Sequence, residues 1–398
     1  MHLCAWFFSL KGYYDVVIRT DGNMCVLNID AANSHVEHYG YAKTTNVIAV
    51  NTTNSYHEFG TSNQLMVTSG KVVIEETGVV FHLDQTSGST ATVTNNGGNV
   101  MESSIPSVVP STSFEINSLS QLIAFRDATN SGEDFAGKTV NLNVDIELNG
   151  SWKAISNYWR KTNVVASDKW FAGEFNGKGH TISGLTNKGL TSREINTGYN
   201  STTPAGGTEF VYGLFGSVNG ANIHDLKLKD VNIVSLDPLL GDGIGALIGY
   251  SAGATISNVE VSGSVIGFDA VGGIVGRARG TNFSMTNCIN NAEVKSLRLC
   301  AGIVGQLGEV TNGGTLTNCT NNGNVTCEYT VDAAPTSKGY YWAAGIANIN
   351  TGNKSDTYTL TGCVNNGTIA NNGHLPDQKA PIYSTCSATL AEGKVIVS

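Results

Sequence analysis

The sequence is poor in proline and in charged residues. It has seven prolines among 398 residues, and 14% of its residues carry a charge. A collagen or a proline-rich disordered chain needs far more proline, so both classes are excluded. The low charge argues against long solvated helices, whose outer faces are normally charged.

Long apolar runs and basic clusters are also missing. No apolar run approaches the roughly 18 residues that a bilayer-spanning helix needs. The chain has 23 basic and 32 acidic residues, a net charge of −9, and no Lys/Arg cluster long enough to neutralise a phosphate backbone. We therefore expect no membrane span in this chain and no nucleic-acid partner.

Cysteine is sparse, with eight residues and no C-x-x-C pair, so we expect most thiols to be free. The start, Met1–Phe8, has an apolar run but no basic residues and no small-residue cleavage site, which is not typical of a signal peptide. Either the protein is cytoplasmic, or the chain is a fragment whose export signal lies upstream.

Glycine, by contrast, is abundant, with 47 residues, and it marks internal repeats. Five related segments begin at Gly213, Gly245, Gly272, Ala301 and Ala344. Each holds three short apolar stretches with period-two alternation, bounded by Gly and Asn, which is typical of β-strands. Three strands per repeat predict a three-sided coil, whose corners need residues that tolerate a positive φ.

Stacked coils would place equivalent residues about 4.8 Å apart, in ladders. Cys288, Cys319 and Cys363 are predicted to form one inward ladder of buried thiols, rather than a disulfide or a metal site. A second ladder, at a corner, is predicted for paired asparagines: Asn290/Asn291, Asn321/Asn322 and Asn365/Asn366.

The first hundred residues have a shorter period. Gly22, Gly40, Gly60, Gly78 and Gly98 are spaced by 18 to 20 residues, with an apolar stretch on either side of most of them. Two strands per repeat of about 19 residues predict a narrower β-solenoid.

The domain boundaries follow from these two periods. The predicted short-period segment is 1–101, a linker with two prolines is 102–113, and the long-period segment is 114–398. A helix is predicted at about 118–130, where Ser118 is suited to the N-cap. Because the first repeat of a solenoid leaves an apolar end open, this helix is predicted to cap it.

The long-period segment carries a family likeness. Its elements are, in order, the helix, Lys138–Leu148, Trp152, Phe171–Leu185 and Gly213–Gly216. In this order they resemble the GLUG-motif repeat proteins of gut Bacteroidetes surfaces, over roughly 285 residues. The resemblance implies a right-handed parallel β-helix in an exported or surface-attached protein. It also implies an adhesin or a glycan-binding module, and it names no reaction.

GLUG repeats also accompany zinc IgA proteases, and a zinc protease would need a metal-binding motif in this sequence. His57–Thr61 begins like H-E-x-x-H but lacks the second histidine, so this zinc site is excluded. The charged residues before the period glycines are instead predicted to form an outward ladder of mixed charge. Its members are Arg19, Glu37, His57 and Glu75, followed by Thr20, His38, Glu58 and Glu76.

Three insertions break the long period, at 156–170, 188–212 and 329–342. Insertions between repeats carry binding more often than the repeats themselves. Exposed aromatic rings suit stacking on sugars or anchoring a protein, and the alternative is that they fold back and seal the flank. The candidate ligand-binding residues are Tyr158, Trp159, Trp170, Tyr340, Tyr341 and Trp342.

A polysaccharide lyase or glycoside hydrolase is the enzymatic alternative, because both classes also use parallel β-helices. It needs clustered carboxylates with a base or a general acid, and three or more of the central charges on one groove would favour it. His180, in the F-x-G-x-F-x-G-x-G-H pattern, is predicted to be a packed turn residue. The central charges are Asp225, Asp230, Asp237, Asp242, Glu260, Asp269, Arg277, Arg279 and Arg298.

Together these observations predict an all-β chain, a right-handed parallel β-helix preceded by a shorter-period β-solenoid, with one capping helix. The predicted function is a non-catalytic cell-surface or secreted scaffold, an adhesin that binds a glycan or a surface protein of a host or neighbouring cell. A carbohydrate-active enzyme and a mechanical spacer remain alternatives. We expect no cofactor and no metal.

Overall fold

The computed structural model describes residues 6–11, 15–53, 55–156, 170–188, 211–236, 242–328, 342–350, 357–372, 379–385 and 395–398. These residues form parallel strands and one helix, which confirms the predicted all-β class. No helix within these ranges is long and apolar enough to cross a membrane. The chain divides into two compact units, unit 1 (Met1–Ala128) and unit 2 (Thr129–Ser398).

Unit 1 has two parallel strands per repeat, as its short period predicts. Val36 pairs with Tyr56 in one row, and Tyr41 pairs with Thr61 in the other. The elements are β1 (Trp6–Lys11), β2 (Asp15–Asp30), β3 (His35–Ala49), β4 (Tyr56–Glu58), β5 (Thr61–Val67), β6 (Lys71–Ile74), β7 (Val79–Gln85), β8 (Thr92–Asn95), β9 (Asn99–Ser103), β10 (Ser113–Ile116) and α1 (Leu119–Ser131).

The core of unit 1 is a set of stacked aliphatic side chains from alternate strand positions. Leu27, Val47 and Leu65 are completely buried in it. The segment predicted as a linker also contributes, because Ile105 and Val108 are each 4% exposed in the same core. The domain boundaries at 102–113 stay a prediction.

Helix α1 begins where the sequence predicts. The Gln121 backbone N–H donates to Ser118 Oγ at 3.3 Å, and the Gln121 side-chain carbonyl accepts the Asn117 N–H at 2.8 Å. These reciprocal bonds satisfy N–H groups that the first turn leaves without helical partners. Inside unit 1, Phe125 packs on Phe114, with ring centroids 5.9 Å apart.

Unit 2 is built from longer repeats, and every strand pair within it is parallel. A small sheet collects one short strand from each of five repeats, β16, β18, β22, β26 and β31, and the other strands form a large sheet. The strands are β11 (Thr139–Leu142), β12 (Ile146–Glu147), β13 (Glu174–Asn176), β14 (Thr181–Ser183), β15 (Phe215–Ser235), β16 (Asp242–Gly245), β17 (Ile248–Gly267), β18 (Asp269–Gly272), β19 (Val275–Thr286), β20 (Ile289–Asn290), β21 (Glu293–Ser296), β22 (Cys300–Ala301), β23 (Val304–Thr317), β24 (Thr320–Asn321), β25 (Val325–Cys327), β26 (Ala343–Ala344), β27 (Ala347–Asn350), β28 (Tyr358–Thr361), β29 (Val364–Asn365), β30 (Ile369–Asn371), β31 (Lys379–Ala380), β32 (Tyr383–Thr385) and β33 (Val395–Val397).

The predicted asparagine ladder is present at one corner of unit 2. Asn290, Asn321 and Asn365 pair in direct register. Asn290 Nδ2 donates to Asn321 Oδ1 at 2.8 Å, and Asn321 Nδ2 donates to Asn365 Oδ1 at 2.7 Å. Gly302 lies against the Asn321 amide, where a side chain would overlap it. We call these three asparagines the inner asparagine ladder.

A second corner holds one left-handed residue in each repeat. Asp225, Asn258, Asn287, Asn318 and Gly362 have φ between 53° and 60°. Asn and Gly tolerate this region best, because a larger side chain crowds the following carbonyl oxygen. The periodic Asn and Gly of the sequence therefore follow from the turn geometry.

The predicted cysteine ladder is also present. Cys288 and Cys319 are completely buried, and Cys363 is partly exposed. All three are free thiols in register, and each donates to a backbone carbonyl two residues earlier. Cys25 differs from the expectation of free thiols, because it is disulfide-bonded.

Candidate functional site

The six predicted ligand-binding aromatics are only partly covered by the structure. Tyr158, Trp159, Tyr340 and Tyr341 lie outside the described residues, and Trp342 is partly exposed. Trp170 is 7% exposed in a small cluster with Val211 and Tyr250. Its ring meets the Tyr250 ring edge-on, at 5.8 Å and 73°. The indole of Trp170 therefore offers little surface to a ligand, and the ligand-binding role of the set stays a prediction.

The insertions that carry these aromatics lie between strands that keep their register. Ile155 pairs with Phe215 and Phe171 pairs with Val218, so the sequence has 156–170 between these partners where the neighbouring repeat has only 216–217. The first insertion thus adds chain without displacing the ladder on either side.

The third and second insertions follow the same rule. Ser296 pairs with Cys327 and Cys300 with Ala343, so the sequence has 328–342 between these partners where the neighbouring repeat has only 297–299. Thr186 pairs with Asn232 and Tyr212 with Ile244, so 187–211 likewise corresponds to the shorter 233–243. Long insertions at corners, outside a continuous ladder, are where repeat proteins place variable segments.

An open groove of about 680 Å³ runs along the left-handed corner of unit 2. We call it the polar groove. Asp225 and Glu260 line it, together with Lys178, Lys227 and two asparagines of that corner. These are the only two of the predicted central charges among its lining residues.

The other central charges in the described residues lie elsewhere. Arg298 pairs with Asp269, Nη1 to Oδ2, at 2.8 Å. Arg277 is 5% exposed. Asp237 and the side chain of Asp242 lie outside the described residues. The convergence of three charges that would favour an enzyme is therefore not met at the polar groove.

Beside the polar groove, a histidine bridges two carboxylates. His224 Nε2 lies 2.9 Å from Glu174 Oε1, and its Nδ1 lies 2.8 Å from Asp225 Oδ2. Partial burial opposes the charged ring, but the bonds to Asp225 and Glu174 outweigh it and raise the pKa of His224. The bonds from His224 and Asn258 lower the pKa of Asp225.

A similar pair occupies the neighbouring turn. His180 Nδ1 lies 2.9 Å from Asp145 Oδ1, and the His180 side chain is 35% exposed. His180 closes a turn, as predicted, with its N–H bonded to the Gly177 carbonyl at 2.8 Å, and its partly exposed ring is bonded to a surface carboxylate. The Thr181 backbone N–H and His180 lower the pKa of Asp145. A glycosidase acid needs a raised pKa, so these carboxylates are tuned in the opposite direction.

Unit 1 contains a completely buried polar cluster around Glu58. Glu58 Oε1 accepts from His38 Nδ1 at 2.8 Å and from the Gly60 N–H at 3.0 Å. Oε2 accepts the Tyr56 hydroxyl at 2.8 Å and the Ser62 hydroxyl at 2.5 Å. Every oxygen of the carboxylate is thus satisfied, which burial of a charged group requires.

This cluster corrects the predicted outward ladder. Glu37 pairs with His57 and then Val73, whereas His38 pairs with Glu58 and then Ile74. The alignment on the glycines gives the first of these pairs correctly, but successive strand residues face opposite sides, so the His38–Glu58 row lies inside. The alignment fails at Glu75 and Glu76, because the corner between Glu58 and Thr61 is two residues shorter than the next one. No group of three or more His, Cys, Asp or Glu side chains in the described ranges could hold a metal.

A second groove, of about 490 Å³, lies on unit 1 between a stack of aromatic rings and helix α1. We call it the aromatic groove. The Tyr39 and Phe59 rings are parallel within 5°, with centroids 4.8 Å apart. The Arg19 guanidinium covers the other face of Tyr39, also 4.8 Å from its centroid. The helix side of the groove is formed by Ser120, Ile123, Ala124 and Asp127.

The repeat pattern of the sequence also indicates these stacked rings, although the predicted ligand-binding residues were placed on the insertions. Tyr39 and Phe59 each directly precede a period glycine, Gly40 and Gly60. Their equivalent positions predict stacked rings as soon as the repeat is recognised. The helix wall gives no such signal, because it comes from a segment sixty residues away in the chain.

Two curated proteins show similarity to parts of the chain. Over 220 residues, 55% of the chain, it is 26% identical to Halomucin of Haloquadratum walsbyi. Over 99 residues, 24% of the chain, it is 35% identical to the Immunoglobulin A1 protease of Streptococcus sanguinis. The matches span only 2% and 5% of the lengths of these relatives.

Among solved structures, the crystal structure of a candidate immunoglobulin A1 protease from Bacteroides ovatus is similar in fold. It aligns with 72% of this chain and 84% of its own, with a TM-score of 0.46 and 16% identity. No family model matches the chain.

Proposed function

We propose that this chain is a non-catalytic scaffold on a cell surface or in the extracellular medium, which binds a glycan or a surface protein through its inserted segments. In this proposal the parallel sheets close into a right-handed β-helix of the GLUG type, preceded by the shorter β-solenoid. Tyr158, Trp159, Tyr340, Tyr341 and Trp342 are the aromatic contacts.

The observation that carries the proposal is the unbroken register across the insertions. The ladder continues from Cys327 to Ala343 as though residues 328–342 were the short turn of the neighbouring repeat. Segments with this placement are free to vary with the ligand.

The relatives and the side-chain electrostatics support the same conclusion. Immunoglobulin A1 is an antibody and is found outside cells, where a protease named for it would act. A segment of 99 residues of this chain is similar to such a protease. Asp225 and Asp145 have lowered pKa values, so neither is suited to donate a proton to a leaving group.

A glycan array tests the proposal, with Trp159→Ala/Tyr341→Ala as the paired variant. We expect the wild-type chain to bind one glycan class and the double variant to lose that binding. Tyr199→Ala, in the insertion at 188–212 that contributes none of these contacts, is the matched control and should bind like the wild type.

Other outcomes separate the alternatives. Cleavage of an acidic polysaccharide by the wild-type chain would favour a lyase and contradict the proposal. No binding to glycans or to host surface proteins, with no cleavage, would leave a mechanical spacer.

A further inference from the structure

We propose that the aromatic groove of unit 1 binds a neutral hexopyranose residue of a glycan, stacked on the ring of Phe59. This inference deepens the proposed function and rests on it for the ligand class. The site belongs to unit 1 and the insertions belong to unit 2, so the two sites are tested by different variants.

A row of stacked aromatic side chains ends inside the groove. Arg19, Tyr39 and Phe59 stack in succession, at distances of 4.8 Å. The next repeat turns here through Glu75, Glu76 and Thr77 and supplies no ring. Phe59 is therefore the last ring of the row that contains Tyr39, and the His57 ring of its own strand lies nearly parallel to it at 6.1 Å. Phe59 is partly exposed, and Thr77 beside it is a short exposed side chain.

Hydrogen bonds and close backbone packing hold the stacked rings in place. The Tyr39 hydroxyl donates to Glu37 Oε2 at 3.2 Å, and the Thr77 hydroxyl donates to the Phe59 carbonyl at 2.9 Å. Gly60 fits directly against Gly40, where any side chain would overlap the Gly40 backbone. Rings that are already fixed lose little conformational freedom when a ligand stacks on them.

Helix α1 forms the opposite wall of the groove. Helix α1 is tied to this corner by the Gln121 side chain, whose Nε2 donates to the Glu76 carbonyl at 3.3 Å. Ile123 and Asp127 project from one face of the helix into the groove. A sugar between the walls would meet an aromatic face on one side, and an aliphatic side chain with a carboxylate acceptor on the other.

Size and charge define the class of sugar. A volume of about 490 Å³ is in the range of small-ligand sites and fits one or two pyranose rings. Asp127 is the only charged residue among those that line the groove. Asp127 Oδ1 accepts from Arg126 Nε at 2.8 Å, so its charge is already paired. The lining residues include no Lys or Arg to pair with a uronic or sialic acid, so the groove favours a neutral hexose.

The test is isothermal titration calorimetry of the full chain with maltotetraose, cellotetraose, galactotetraose and tetragalacturonic acid. We expect binding of at least one neutral tetramer and none of the acidic one. Phe59→Leu, which keeps apolar volume but removes the ring, should weaken binding about tenfold, or about 1.4 kcal/mol.

Thr77→Tyr is the second variant. It adds the missing ring to the stack, fills the groove and should abolish binding, while Thr77→Ser keeps the hydroxyl and should bind normally. Normal thermal unfolding of each variant shows that the chain still folds.

Three results would overturn the inference. Binding that survives Phe59→Leu and Thr77→Tyr but is lost in Trp159→Ala/Tyr341→Ala would refute this site and leave the proposed function intact. Preference for tetragalacturonic acid would refute the neutral class. Binding of no tetramer, with Phe59-dependent retention on deglycosylated mucin, would make the occupant a protein.

Discussion

The inner asparagine ladder offers the sharpest test of what stabilises unit 2. Asn321 is completely buried and uses its whole amide. Its Nδ2 donates to Asn365 Oδ1 at 2.7 Å and to the Gly323 carbonyl at 2.8 Å, while its Oδ1 accepts from Asn290. Asn321→Ala removes all three hydrogen bonds and leaves buried partners behind.

The expected loss follows from those partners. A net hydrogen bond contributes about 1 kcal/mol, and a buried group left without a partner costs about 1–3 kcal/mol. Asn290 keeps its bond to the Ala292 carbonyl, and Asn365 is partly exposed, so the upper end of the cost of an unpaired buried group does not apply. We therefore expect Asn321→Ala to destabilise unit 2 by about 3 kcal/mol.

Asn322→Ala is the matched control, one residue further along the same strand end. Asn322 is exposed, and its Nδ2 donates to Asn291 Oδ1 at 2.8 Å on the surface. Its loss should cost below about 0.5 kcal/mol. Urea unfolding followed by circular dichroism, together with amide hydrogen exchange at Gly323–Val325, measures the difference. Equal destabilisation by the two variants would refute the assignment of stability to the inner ladder.

Three further predictions concern titratable groups. Glu58→Gln should destabilise unit 1 by about 3 kcal/mol, because it breaks a buried hydrogen-bonded cluster. Glu75→Gln changes a partly exposed pair and should cost below about 1 kcal/mol. Urea unfolding compares the two variants, and similar losses would contradict the burial argument. The pKa of His224 is raised in the folded chain, so its stabilisation is present below pH 6.5 and is lost as the pH rises through the folded value; the pH dependence of unfolding should flatten in His224→Gln, and an unchanged profile would count against it. The bond with Cys288 raises the pKa of Cys319 to about 12, so iodoacetamide at pH 8 should label Cys319 only after unfolding, as mass spectrometry would show; rapid labelling of the folded chain would contradict the buried ladder.

The two units differ in how far the sequence predicts their ladders. In unit 2 the distance from Cys288 to Cys319 equals that from Asn290 to Asn321, so alignment of the repeats gives the true register. In unit 1 the alignment on the glycines also pairs His38 with Glu58 correctly, but the prediction placed this pair on the same outer face as Glu37 and His57. Successive strand residues face opposite sides, so the second row lies inside and forms a buried cluster.

The aromatic groove shows a different limit. Tyr39 and Phe59 are equivalent by position, so the sequence indicates that they stack. It does not indicate that helix α1 lies beside them, because the bond from Gln121 to the Glu76 carbonyl joins segments distant in the chain. A groove needs both walls, so its existence depends on the packing.

Local periodicity and turn chemistry predict the all-β class, the two repeat periods, the capped helix and the ladders of unit 2, so these features can be inferred without a structure. The packing of the folded chain shows which charged residues lie inside unit 1, which central charges share a groove, and where a ring stack ends against a helix. Those features depend on the register between repeats and on contacts between distant segments, and neither is contained in the pattern of a single repeat.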